Sequence, residues 1–145
     1  MDKHSSWIAM AALLLSLAPT ALAQAPNLRP GGWEQTLTIS AGGGAQRVTK
    51  LKSCITKEDL ASMRTFEKDE NCKNQYTTRS AARIAGSQVC VHGGQQRKGE
   101  FDIQFQSPES YLMTAGSRVV GEPASEMRME MKARWASPNC TGYDD

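Results

Sequence analysis

Apolar and polar positions alternate most clearly near the end of the chain. Met127, Met129, Met131, Ala133 and Trp135 take one parity, and Arg128, Glu130, Lys132 and Arg134 take the other. A period of two gives a strand with one buried and one wet face, whereas a helix would scatter the methionines round its cylinder. Glu100–Gln106 repeats the pattern, with Phe101, Ile103 and Phe105 inward. Gly31–Ile39 places Trp33, Leu37 and Ile39 on one face and threonines on much of the other. Weaker strands are expected at Gln46–Ser53, at Lys73–Ser80 and Ile84–Val91 as a hairpin turning near Ala81-Ala82, and at Tyr111–Ala115, which Gly116-Ser117 bends or ends. Gly42-Gly43-Gly44, Gly93–Gln96, Ser107–Ser110 and Arg118–Ser125 are the expected loops, turns and connections. One segment reads as a helix. Thr56 is placed to cap it, Glu58 and Asp59 lie in its first turn where the dipole favours them, and Leu60 and Met63 form a short stripe that docks it.

The expected fold is therefore mainly β: an antiparallel meander of six or seven strands with one short helix. A single sheet with one apolar face protects that face and its edges by curling into an open barrel or packing as a sandwich.

Residues 1–23 read as a secretory signal peptide. A short, weakly positive start is followed by an apolar run from Trp7 to Leu17, a break at Pro19, and the small-x-small site Ala21-Leu22-Ala23. The run is well short of the ~20 residues that span a bilayer. Cleavage after Ala23 would remove 23 of 145 residues and leave a mature chain of 122, with no transmembrane segment and with His92 as its single histidine. Residues 24–30, with two prolines, read as a flexible tether before a single domain at 31–145. The implied location is the periplasm.

Export changes the meaning of the cysteines. Cys54, Cys72, Cys90 and Cys140 are four, an even number, and no C-x-x-C pair suggests zinc. Two disulfides are expected. The favoured pairing is Cys54 with Cys72, clipping the helical segment, and Cys90 with Cys140. The rival is Cys72 with Cys90, facing each other across the hairpin.

Several short motifs now line up in order: Pro30-Gly31-Gly32-Trp33-Glu34, then Cys54-Ile55-Thr56-Lys57-Glu58-Asp59-Leu60, then Cys72 and Cys90, Gly99-Glu100-Phe101, Ser110-Tyr111, and a methionine-alternating strand ending Arg134-Trp135 before Cys140. Over roughly residues 29–140 the chain resembles the bacterial periplasmic domain-of-unknown-function family 3617. It departs from that pattern at Gly32, where a larger residue is usual, and at the Ser137-Pro138-Asn139 approach to Cys140. The resemblance implies export, a β-rich fold and paired cysteines, and it brings no catalytic residues with it.

The remaining chemistry is sparse. Lys and Arg number 17 against 15 Asp and Glu, a net charge of +2, which does not suit a basic nucleic-acid binder. His92 stands at a strand end beside a glycine loop with no serine elbow and no second histidine, so it reads as a solvated residue. Asp69-Glu70 reads as surface charge, and Glu100 and Asp102 share the wet face of their strand. Lys50-Leu51-Lys52 and Arg97-Lys98 are small basic patches, and neither glycine cluster follows a phosphate-loop pattern. The methionine face of Met127, Met129 and Met131 is the one candidate site. Thioethers make a pliable apolar surface and are soft ligands for copper(I), although core packing is their commonest use. No catalytic, cofactor-binding or metal residues are assigned. The expected function is a non-enzymatic exported domain binding a hydrophobic small molecule or an envelope protein, with a structural or stress-related accessory role as the rival and an enzyme of unrecognised type as the lesser alternative.

Overall fold

The computed structural model describes residues 24–62 and 69–143. The expected signal peptide at residues 1–23 and Met63 of the expected helical stripe lie outside the described residues. Seven strands form one antiparallel sheet: β1 (Gly31–Ala41), β2 (Arg47–Ile55), β3 (Cys72–Arg79), β4 (Arg83–His92), β5 (Gln95–Ser107), β6 (Ser110–Val119) and β7 (Met127–Ser137). A six-residue helix, α1 (Lys57–Ser62), follows β2, and a 3-10 turn (Pro123–Ser125) precedes β7. The spatial order is β2-β1-β7-β6-β5-β4-β3. The meander from β3 to β7 is thus extended by β1, which pairs with β7, and β2 and β3 are the two free edges.

Cross-strand register turns the sequence alternation into rows. Leu37, Met131, Met113, Ile103 and Ile84 follow one another across five strands. The next row is Ile39, Met129, Ala115, Phe101, Gly86 and Tyr76. Both rows belong to the apolar face, while Arg128, Lys132 and Arg134 stand exposed on the other. Residues from all seven strands line one common cavity, so the sheet curls around its apolar face without its edges pairing.

The core fills one end of this curl. Leu28, Trp33, Ile55, Leu60, Ile84, Ile103, Tyr111 and Ala133 form the buried cluster, and Trp33 is completely buried. The segment expected as a tether takes part in it. Leu28 is buried, the Arg29 amide donates to the Pro108 carbonyl (2.8 Å), and the Arg29 guanidinium pairs with Glu109 and stacks over Trp135. The Trp33 and Trp135 indoles donate to the Arg29 and Pro30 carbonyls, both at 3.1 Å. Gly31 turns the chain between these contacts at φ 132°, and its α-carbon lies so close to the Ser137 carbonyl that a β-carbon there would sit 2.1 Å away. At Gly32 a β-carbon would meet the Tyr143 ring at 2.5 Å, so the glycine makes room for the tail.

The helix begins where the sequence indicates. The Thr56 hydroxyl and amide both donate to the Asp59 carboxylate (2.8 and 3.1 Å), and the Asp59 amide donates back to the Thr56 hydroxyl (3.1 Å). This reciprocal cap satisfies first-turn donors and aims Leu60 into the core.

Three expectations are corrected. First, the disulfides are Cys54–Cys140 and Cys72–Cys90, not Cys54–Cys72 with Cys90–Cys140. Cys72 and Cys90 are directly opposed in the β3–β4 ladder, as the rival pairing has it, and Cys54 on β2 meets the chain that leaves β7 past β1. Second, Gln95 and Gln96 belong to β5 rather than a loop. Gly93 (φ 56°) and Gly94 (φ 80°) alone make a two-residue hairpin turn, because both adopt the positive φ that a twist-matched turn requires. Third, β6 runs through Gly116-Ser117 to Val119, with Gly116 paired opposite Glu100.

Candidate functional site

The curl borders a half-open cavity of about 390 Å³. Its size falls in the range of small-molecule pockets, about 300–1,000 Å³. One wall is apolar: Phe101 and Ile103 on β5, Met113 and Ala115 on β6, and Met129 and Met131 on β7. The space exists because the sheet is too wide for the side chains it carries there. Ala115 lies between Met129 and Phe101 and lines the cavity, so a small residue interrupts a row that a larger one would fill, while Gly86, between Phe101 and Tyr76, continues the row beyond the lining. Gly86 also lets β3 approach, since a β-carbon there would sit 2.1 Å from the Gln75 carbonyl oxygen, beside an irregularity in the β3 register. The Tyr76 and Phe101 rings meet edge-on across this gap, 5.9 Å between centroids.

Of the predicted methionine face, Met129 and Met131 line the cavity, and Met127 is half-buried but not part of its lining. Met113 joins them from the neighbouring strand, opposite Met131. Sequence reasoning missed Met113 because β6 lacks clean alternation. Only the register with β7 places it in the same row.

The other wall is polar. Gln35 on β1 donates from its amide to the Tyr111 hydroxyl (2.8 Å), which in turn points at the Met131 sulfur (4.0 Å). Burial pushes the Tyr111 phenol up to about 12, against a smaller opposing pull from the Gln35 hydrogen bond. Ser53 on β2 and Asn74 on β3 lie on the two edge strands, and both line the cavity with Gln88. The Ser53 hydroxyl oxygen and the Asn74 carbonyl oxygen are buried with no hydrogen-bond partner among the described residues. A buried polar atom left without any partner costs about 1–3 kcal/mol, so two on one cavity wall mark positions that call for a hydrogen-bonding group, water or ligand, from within the cavity.

Asp69 is the single charged residue among those lining the cavity. The Asn71 amide, donating at 2.9 Å, holds its carboxyl below the usual carboxylate range, and His92 adds to this with Nε2 3.1 Å from the carboxylate. His92 itself is exposed and does not line the cavity. It lies with Cys72 and Cys90 in a group whose potential ligand atoms are within 4.8 Å of one another. The two sulfurs are joined as a disulfide and are not thiolates, so the group does not present a metal-binding donor set in this state. Glu100 and Asp102 lie away from the site. Asp102 is held below the usual carboxylate range by a two-point pair with Arg83 (3.0 and 2.6 Å), and Glu100 is exposed. Lys50, Leu51, Lys52 and Lys98 are exposed, while Arg97 is half-buried and donates to the Ser117 hydroxyl at 3.3 Å.

Comparison with known proteins gives the family. Residues 28–140 match a family model described as a protein of unknown function, DUF3617. The chain belongs to the DUF3617 family. No curated protein and no solved structure matches it. The order of motifs in this DUF3617 chain now has a physical reading. Its opening Pro-Gly-Gly-Trp-Glu seats Trp33 under the packed Leu28–Pro30 segment, its Cys-Ile-Thr-x-x-Asp-Leu element supplies a disulfide, two core residues and a helix cap, and its final cysteine ties the tail to β2.

Proposed function

We propose that this DUF3617 domain is a non-enzymatic binding protein of the bacterial periplasm that holds a small, largely apolar molecule within its curled sheet. The observation that carries the reading is the unfilled cavity against Met113, Met129 and Met131. Thioether side chains are unbranched and polarizable, so such a wall adapts to varied apolar shapes. Methionines that served the core alone would be expected to close the space. Export is supported by two disulfides with no free cysteine among the described residues, as an oxidising compartment favours, and by the signal-like segment at residues 1–23.

The test is native mass spectrometry of protein purified from the periplasm without reductant. The expected result is a chain starting at Gln24, four hydrogens lighter than the reduced form, with an additional mass that leaves on denaturation. A bare chain that also fails to take up a neutral apolar dye would overturn the binding reading. A mass that retains residues 1–23 would overturn export by cleavage.

A further inference from the structure

We propose that the ligand is an uncharged amphiphile whose polar head, a hydroxyl or primary amide, hydrogen-bonds Asn74 and Ser53 at the open seam between β3 and β2. This rests on the binding reading above and names the chemistry of the ligand. Two independent features lead to it. The apolar wall accounts for a ligand's body, and the buried, unpartnered oxygens of Asn74 and Ser53 account for its head. Both oxygens belong to edge strands, which are paired on one side only, Ser53 opposite Trp33 and Asn74 opposite Gln88. An amide and a hydroxyl each offer a donor and an acceptor, so a head group that does both matches them, as an alcohol or primary amide does.

The same wall discriminates by charge. Among the described residues its lining contains no cation to receive a carboxylate, and the one anion there, Asp69, opposes one. An ammonium head seated at the two buried oxygens would be stripped of its water, and Asp69, about half exposed beside His92, offers it only a solvent-screened attraction. Charged heads are therefore rejected, and fatty acids are rejected most strongly.

The experiment is displacement of Nile red, a neutral dye with no hydrogen-bond donor, from the oxidised mature chain. The competitors are 1-decanol, decanoate and decylamine at pH 7. The expected result is that decanol displaces at about a tenfold lower concentration than either charged competitor. Asn74→Ala should raise the decanol concentration required about tenfold, as loss of one ligand hydrogen bond does, and leave dye affinity within about twofold. Ser53→Ala is the second variant. It should weaken decanol similarly without lowering the melting temperature, because the hydroxyl it removes makes no hydrogen bond in the unliganded protein.

If the dye binds but decanoate or decylamine competes as well as decanol, or both variants keep the full preference for decanol, the head-group inference falls and the apolar binding reading stands. If the dye does not bind the folded chain, both fall together.

Discussion

Tyr111 makes the stability of this protein depend on alkaline pH in a way that can be worked out beforehand. Its ring is nearly fully buried between Trp33 (5.4 Å between centroids) and Phe105 (6.4 Å), and burial pushes its phenol from 10.0 up to about 12. Below pH 10 the hydroxyl is protonated in the folded and unfolded chains alike, and its contribution is constant. Between pH 10 and 12 the unfolded chain loses this proton while the folded chain keeps it, so stability falls as pH rises. A two-unit displacement is worth about 2.7 kcal/mol in all, of which about 2 kcal/mol is gone by pH 12. That is a substantial part of the ~5–15 kcal/mol that holds a domain together. Tyr111→Phe isolates the effect from the lysines that titrate in the same range. At pH 8 the variant should be about 1 kcal/mol less stable, because the Gln35 amide loses its acceptor. The difference should shrink above pH 10, cross zero near pH 11 and favour the variant at pH 12, read from urea unfolding with the disulfides intact. A difference that stays constant from pH 8 to 12 would refute the reasoning. So would phenolate absorbance in the folded protein that rises for every tyrosine with one midpoint near 10.

Two further outcomes follow from the covalent and backbone geometry. The cysteine separations of 86 and 18 residues give loop-closure stabilisation of about 4.6 kcal/mol for Cys54–Cys140 and about 3.2 kcal/mol for Cys72–Cys90, so replacing the first pair by alanine should cost more in denaturant unfolding, and non-reducing peptide mapping should recover these two links. Gly86→Ala should destabilise by about 1–3 kcal/mol through its collision with the Gln75 carbonyl, measured by thermal melting.

The parts of this fold that could be read from the chain are those set by neighbours in sequence. The Met127–Trp135 alternation defines a strand by itself, and Thr56 with Asp59 define a helix start by local hydrogen bonds. What escaped was set by strand order. The pairing of Cys54 with Cys140 depends on β1 lying between β2 and β7, and nothing local in either strand specifies that. The extent of the Gly93-Gly94 turn is hidden for a different reason. Two glycines are enough for a tight hairpin, and polar Gln95 and Gln96 then extend an exposed ladder that carries no apolar signal. The cavity divides in the same way. Met129 and Met131 stand out in the sequence, while Ser53 and Asn74 are unremarkable polar residues until the curl brings the two sheet edges to one cavity.

The balance between filling and leaving that cavity can be tested at Ala115. It lies in the middle of β6, lines the cavity, and is flanked in register by Met129 and Phe101. Replacing it by leucine adds three carbons to the apolar wall. If they enter the space without displacing Met129, their burial is worth about 2 kcal/mol at ~0.8 kcal/mol per methylene. A protein whose cavity were merely an imperfection of packing would gain that stability and lose nothing. A protein that keeps the space for a ligand gains the stability and loses the binding, the usual opposition between stability and function. Ala115→Leu is therefore expected to melt higher than the parent and to bind Nile red at least about tenfold more weakly. Retention of full dye binding together with the higher melting temperature would place the dye elsewhere on the protein and remove the cavity's claim to be the site.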